Sequence, residues 1–158
     1  MISPQQQAEL YGRDLRNIVR IEFGQVYDDD IAGSNDRYSR ARGFLDSWLE
    51  LGVLERDGEP ALYVTDLEFT DPRDGSVRHR HGVLATVAAE PWDRSDLRPH
   101  ERTLRGPKQD RLALLRATRT QTSPVFTLWQ GAPRAGELLE RLTTGRALIG
   151  GRIDGEFG

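Results

Sequence analysis

The sequence predicts an α+β fold, with a mixed or antiparallel sheet flanked by helices. Three observations carry that expectation. Segments with apolar residues at helical spacing are interleaved with segments that alternate apolar and polar residues. Two of the latter, residues 61–69 and 77–88, are separated by little more than the turn cluster Asp71-Pro-Arg-Asp-Gly-Ser76, the arrangement of an antiparallel hairpin. A chain of 158 residues, 37% apolar and 30% charged, is long enough to bury a core as one domain and polar enough to be globular.

The elements follow in order. Ser3-Pro4 is a helix start, with Ser as cap and Pro in the first turn, and predicts a helix over 4–13. Residues 17–23 (Asn17-Ile-Val-Arg-Ile-Glu-Phe23) alternate and predict a strand. Residues 24–35 are acidic and rich in turn formers, so a surface loop is expected. From Asp36, Tyr38, Ala41, Phe44, Leu45, Trp48, Leu49 and Leu51 recur at helical spacing until Gly52 ends the helix. Residues 53–56, the turn Asp57-Gly58 and residues 61–69 predict strand, hairpin and strand. Residues 77–88 form the next strand, placing Val77, His79 and His81 on one face and Arg78 and Arg80 on the other. A helix over 108–121 is broken by Pro124. Short strands are expected at 125–129, 147–149 and 152–157, and a helix at 136–144.

Bulk properties exclude several classes. There is no cysteine, hence no disulfide, thiolate metal site or thiol nucleophile, which fits a cytoplasmic protein. No apolar run approaches the roughly 18 residues of a membrane span. The start Met-Ile-Ser-Pro-Gln-Gln-Gln lacks the basic and apolar regions of a signal peptide. Net charge is −3 with a pI near 5.7, which counts against general nucleic-acid coating. The three tryptophans are scattered and make no stacking stripe for single strands. Walker, nucleophile-elbow and dinucleotide motifs are absent.

Charge is segregated. Residues 98–124 carry Arg98, Arg102, Arg105, Lys108, Arg111, Arg116 and Arg119 against Glu101 and Asp110, a net of +5 that leaves −8 for the remainder. Lys108 is the sole lysine. Gly106-Pro107-Lys108 opening an Arg-rich helix suits an anion, with Lys108 as a point charge and Arg111 as a fork one turn away. An ordinary solvated helix face is the alternative. Glu101, after His100, is placed for general-base work among cations that keep it ionised, or for a salt bridge to Arg102 or Arg105. Thr118, Thr120, Thr122 and Ser123 read as helix-end residues that satisfy the backbone. His79 and His81, with a third ligand such as His100, could take zinc or iron. No carboxylate motif adjoins them, so they are read as one side of a sheet and no metal is expected.

Several segments occur together in one order: Asn17-Ile-Val-Arg-Ile-Glu, Trp48-x5-Leu54, Glu59-Pro-Ala-Leu-Tyr63, Pro99-His-Glu-Arg-Thr103, Gly106-Pro-Lys-x-Asp-Arg111, and Leu115-Arg-Ala-Thr-x5-Ser-Pro-Val-Phe126. On these the chain resembles the bacterial and archaeal domain of unknown function family 1015 over nearly its whole length. The resemblance implies one incomplete domain over 1–158, the N-terminal half of the family domain cut at both ends. Ile2-Ser3 looks like the end of an upstream Pro-Pro-Tyr-Asp-Val-Ile-Ser segment. A downstream Asp-Gly-His-His-Arg motif and a Lys-Ser/Thr-Thr/Tyr stretch are absent.

The motif order is also similar to that of free-serine kinases of the ParB/sulfiredoxin superfamily, which implies a ParB/sulfiredoxin-like part of a larger fold. It further implies Glu101 as base for a substrate hydroxyl with His100 beside it, and Lys108, Arg111, Arg102 and Arg105 on phosphate oxygens. The partners implied are a small-molecule substrate, ATP or ADP with Mg²⁺, and the missing half of the domain. The expected function is a nucleotide-dependent phosphotransferase, inactive as this fragment. A nucleic-acid-binding module and a non-catalytic fragment are the alternatives.

Overall fold

The computed structural model describes residues 2–99, 104–129, 133–145, 147 and 149–151. The fold is α+β, with helices and, among the described residues, one two-stranded antiparallel sheet. The chain forms two compact units, Met1–Gly58 with Glu90–Val125, and Glu59–Ala89 with Phe126–Gly158.

The first unit is helical. Helix α1 (Pro4–Arg13) starts at a capping box in which the Ser3 hydroxyl accepts from the Gln6 N–H and the Gln6 side chain accepts from the Ser3 N–H. Both groups are orphans of a helix start, so each is satisfied by the other residue. Residues 17–23 are not the expected strand: Val19–Glu22 form a single turn, α2. The Asn17 side-chain oxygen accepts from the Val19 N–H (3.0 Å) and the Phe23 N–H donates to the Val19 carbonyl (2.9 Å). One helical turn buries Val19 and Ile21, and so few residues mimic the period of two.

Helix α3 (Arg37–Glu50) begins at Asp36, whose carboxylate accepts from the Tyr38 and Ser39 N–H groups. Its inward positions Ala41, Leu45 and Trp48 join Ile21 and Leu114 in the core, with Phe44 and Val53 packed alongside. Burying each large apolar side chain contributes about 1.5–3 kcal/mol. Helix α4 (Arg105–Thr118) delivers Leu114 to that core and packs against α3. It starts three residues before the expected Lys108 and ends with Arg119 in the left-handed region (φ 54°). The Thr118 hydroxyl is buried and donates to the Leu114 carbonyl, while Thr120 returns its hydroxyl to the Thr118 carbonyl. These two threonines satisfy the backbone, as their position suggests.

Residues 53–56 form no strand. The N–H groups of Val53 and Leu54 both donate to the Trp48 carbonyl, closing the end of α3, and Val53 is apolar because it packs on the core.

The second unit is a hairpin with one helix. Strands β1 (Tyr63–Thr70) and β2 (Val77–Leu84) pair antiparallel from Tyr63↔Leu84 to Thr70↔Val77. β2 stops at Leu84, short of the expected Ala88. The turn is held by the Asp71 N–H on the Ser76 carbonyl (2.8 Å) and by Gly75 at φ 73°, a conformation open to glycine. Asp71 is buried there and paired with Arg73 and Arg78. Helix α5 (Pro133–Thr143) packs on both strands and buries Leu139. The segment 125–129 is apolar but unpaired, and 147 and 149 lie outside any strand. The strand expected at 152–157 falls outside the described residues.

Candidate functional site

In the first unit, the start of α4, the turn of α2 and the start of α1 border an open groove of about 1020 Å³. Its lining includes Gln7, Ile18, Glu22, Phe23, Pro107 and Arg111. α1 is tied to one side of it: the Gln7 amide donates to the Phe23 carbonyl (2.6 Å), and the Tyr11 hydroxyl accepts from the Gln25 N–H (3.0 Å). Arg20 lies over the Tyr11 ring at 4.4 Å and donates to the Tyr11 carbonyl (2.8 Å).

α4 opens at Leu104, which caps without a side-chain hydrogen bond. Pro107 has no N–H, which removes one orphan donor of the first turn. Arg105 and Lys108 are exposed in that turn, and Gly106 and Pro107 line the groove. Arg116 and Arg119 are exposed further along.

Arg111 has a different environment. Its guanidinium donates to the Glu22 carboxylate, to the Glu22 carbonyl oxygen (2.8 Å) and to the Asp110 carboxylate (3.1 Å). Asp110 also accepts from Arg37 and from the Tyr38 hydroxyl (2.9 Å). The result is a continuous network linking α2, α3 and α4. The structure therefore gives Lys108 and Arg111 separate surroundings, although they are three residues apart. Lys108 faces solvent, and Arg111 is held by two carboxylates.

Glu22 is the centre of that network. Its side chain is 8% exposed, and the Ser123 hydroxyl donates to the carboxylate oxygen that Arg111 also binds (3.0 Å). Burial pushes its carboxyl up, but the neighbouring Thr122 hydroxyl, the hydrogen bonds from Ser123 and Arg111, and the Arg111 charge outweigh burial and hold it below the usual carboxylate range. Its other oxygen, Oε1, is buried without a partner among the described residues. A carboxylate ionised in this way can accept a hydrogen bond from a ligand hydroxyl or ammonium.

Glu22 falls in the strand expected at 17–23, which gives it no role. Its only signal is a carboxylate two residues from Arg20 inside the mainly apolar Ile-Val-Arg-Ile-Glu-Phe run. Of the other expected site residues, His100, Glu101 and Arg102 lie outside the described residues.

The fold and site define an α+β protein with a helix start opening on a groove and an arginine-clamped carboxylate in its wall. The family model described as Protein of unknown function (DUF1015) matches residues 1–153, and the chain belongs to that family. No curated protein and no solved structure matches it. No helix among the described residues is long and apolar enough to cross a membrane.

Proposed function

We propose that this chain supplies the phosphate-binding part of a nucleotide-dependent phosphotransferase acting on a small hydroxylated metabolite, and that the likeness to free-serine kinases extends to the role of its Pro-His-Glu sequence. The observation that supports this reading best is the opening of α4 on the groove. Its first turn offers backbone N–H groups with no side-chain cap, next to the exposed cations Arg105 and Lys108. A helix start with adjoining cations favours phosphate oxygens.

In this reading Lys108, Arg105 and Arg102 contact the phosphates, and the groove holds the rest of the nucleotide or substrate. Arg111 keeps Glu22 ionised, and Glu22 Oε1 receives a donor from the substrate. Glu101, with His100 beside it, removes the proton of the attacking hydroxyl. Mg²⁺ with ATP or ADP supplies the phosphoryl group and neutralises its charge. Phosphoryl transfer rests largely on positioning and charge neutralisation, which is the work this arrangement suits.

The test is nucleotide binding, then nucleotide consumption with a panel of hydroxylated metabolites, for the natural chain and for Glu101→Gln; a natural chain that binds no nucleotide rejects the reading whether or not it turns over. Turnover that disappears in the variant while nucleotide binding persists supports the reading, and equal turnover in both rejects Glu101 as base. If the exposed arginines of α4 instead serve a nucleic acid, the chain will bind RNA or DNA with a steep salt dependence and will not bind mononucleotides.

A further inference from the structure

We propose that the β1–β2 hairpin carries a binding site for a divalent transition metal, built from Asp66, His79 and His81. The hairpin register creates it. Asp66 pairs directly with His81, and Glu68 with His79. Because side chains two apart on a strand share a face, all four lie on one face of the sheet. Sequence spacing hides this, since the carboxylate is 13 residues from His79 and meets it only through the turn.

The distances suit one ion. Asp66 Oδ1 is 3.0 Å from His79 Nδ1 and 3.4 Å from His81 Nε2. The three ligand atoms lie within 4.8 Å of one another. Two ligands each about 2.0–2.2 Å from a tetrahedral zinc stand roughly 3.4 Å apart. The widest separation therefore closes with a modest rotation of side chains that are part-exposed. Glu68 Oε2 lies 3.7 Å from His79 Nε2, on the side of that imidazole away from the ion, where it can orient the ring.

Donor chemistry selects the class of ion. Two imidazole nitrogens with one carboxylate oxygen suit zinc and its first-row neighbours, whereas calcium and magnesium prefer oxygen throughout. The part-exposed face of the hairpin gives the ion an entry path. The paired strands fix the three Cα positions in advance. An ion bridging the two strands would add to the packing of α5 in holding the hairpin closed. The proposal is independent of the phosphotransferase reading, because its residues and readouts belong to the hairpin unit and involve no nucleotide.

The experiment is calorimetric titration of the intact chain with Zn²⁺ alone, with Co²⁺ absorption as a second probe and NMR of the imidazole protons as a third. The expected result is one ion per chain, with His79 and His81 resonances shifting together in the natural sequence. His79→Gln, His81→Gln and Asp66→Asn should each weaken binding by at least about tenfold. The part-exposed imidazoles carry little packing, so the variants should keep the circular dichroism of the metal-free chain. Zn²⁺ should raise the melting temperature of the natural chain and leave that of the variants unmoved. The proposal is overturned by an absence of binding with zinc at about 1 mM. Imidazole shifts that miss both histidines, or affinity unchanged in all three variants, would overturn it equally.

Discussion

Arg111 grips Glu22 twice, through the side-chain carboxylate and through the main-chain carbonyl oxygen (2.8 Å), although 89 residues separate them. The pair ties α2 to α4 and completes the wall of the groove. Removing the arginine leaves a buried, ionised carboxylate with a donor missing. Arg111→Ala should destabilise the first unit by about 2 kcal/mol, at the low end for a broken pair because the arginine side chain is 37% exposed. Replacing both partners by apolar residues of similar size should cost less than Arg111→Ala alone. Urea unfolding of the two single variants and the double variant measures this coupling, and strict additivity would show that the pair does not act as a unit.

Glu22 also predicts an acid sensitivity. Its carboxyl is held below the usual range in the folded chain, so as pH falls the unfolded chain takes up that proton first. The stability it contributes is present in full above the ordinary carboxylate value and is lost as pH drops through the lower folded value. Asp30, lowered chiefly by its hydrogen bond from Arg40, and Asp36, lowered chiefly by the Gly33 N–H, act in the same direction. Stability against urea should fall below about pH 4.5. In Glu22→Gln the fall should be shallower by up to one proton, while the neutral-pH fold is retained.

Asp36 caps α3, accepting from Tyr38 (3.0 Å) and Ser39 (2.8 Å) while Ser39 returns a bond to its N–H. Asp36→Ala should cost about 1 kcal/mol and Asp36→Asn less, because Asn keeps a capping oxygen. A thermal melt of the two variants separates these outcomes.

Much of the fold is legible in the sequence because its signals are local. The Ser3-Pro4 start, the helical apolar repeat after Asp36 and the Asp71–Ser76 turn each act within a few residues, and each element forms where its signal lies. The strand readings at 17–23 and 53–56 fail for one physical reason. Short apolar runs carry no period of their own, and their backbone partners decide: the Asn17 side chain for Val19, and the Trp48 carbonyl for Val53 and Leu54. The site was legible only as charge. The basic run at 98–119 pointed to an anion site at the start of α4, but nothing local revealed that Arg111 is committed to Glu22. Nor did it show that Asp66 stands across the hairpin from His81. Those pairings join distant segments and exist only once the chain has folded.

Lys108 separates the binding reading from the architecture of α4. It is exposed, so Lys108→Ala should change stability by less than about 0.5 kcal/mol while weakening nucleotide binding by about tenfold, the loss of one phosphate contact. Arg105→Ala should act in the same direction. A variant that lost stability and kept binding would assign Lys108 to structure.

The most direct measurement is isothermal titration of the intact chain with ATP and with ADP, each with and without Mg²⁺. The phosphotransferase account predicts saturable heat with at least one nucleotide, reduced in Lys108→Ala. No heat with either nucleotide, with or without Mg²⁺, would contradict it.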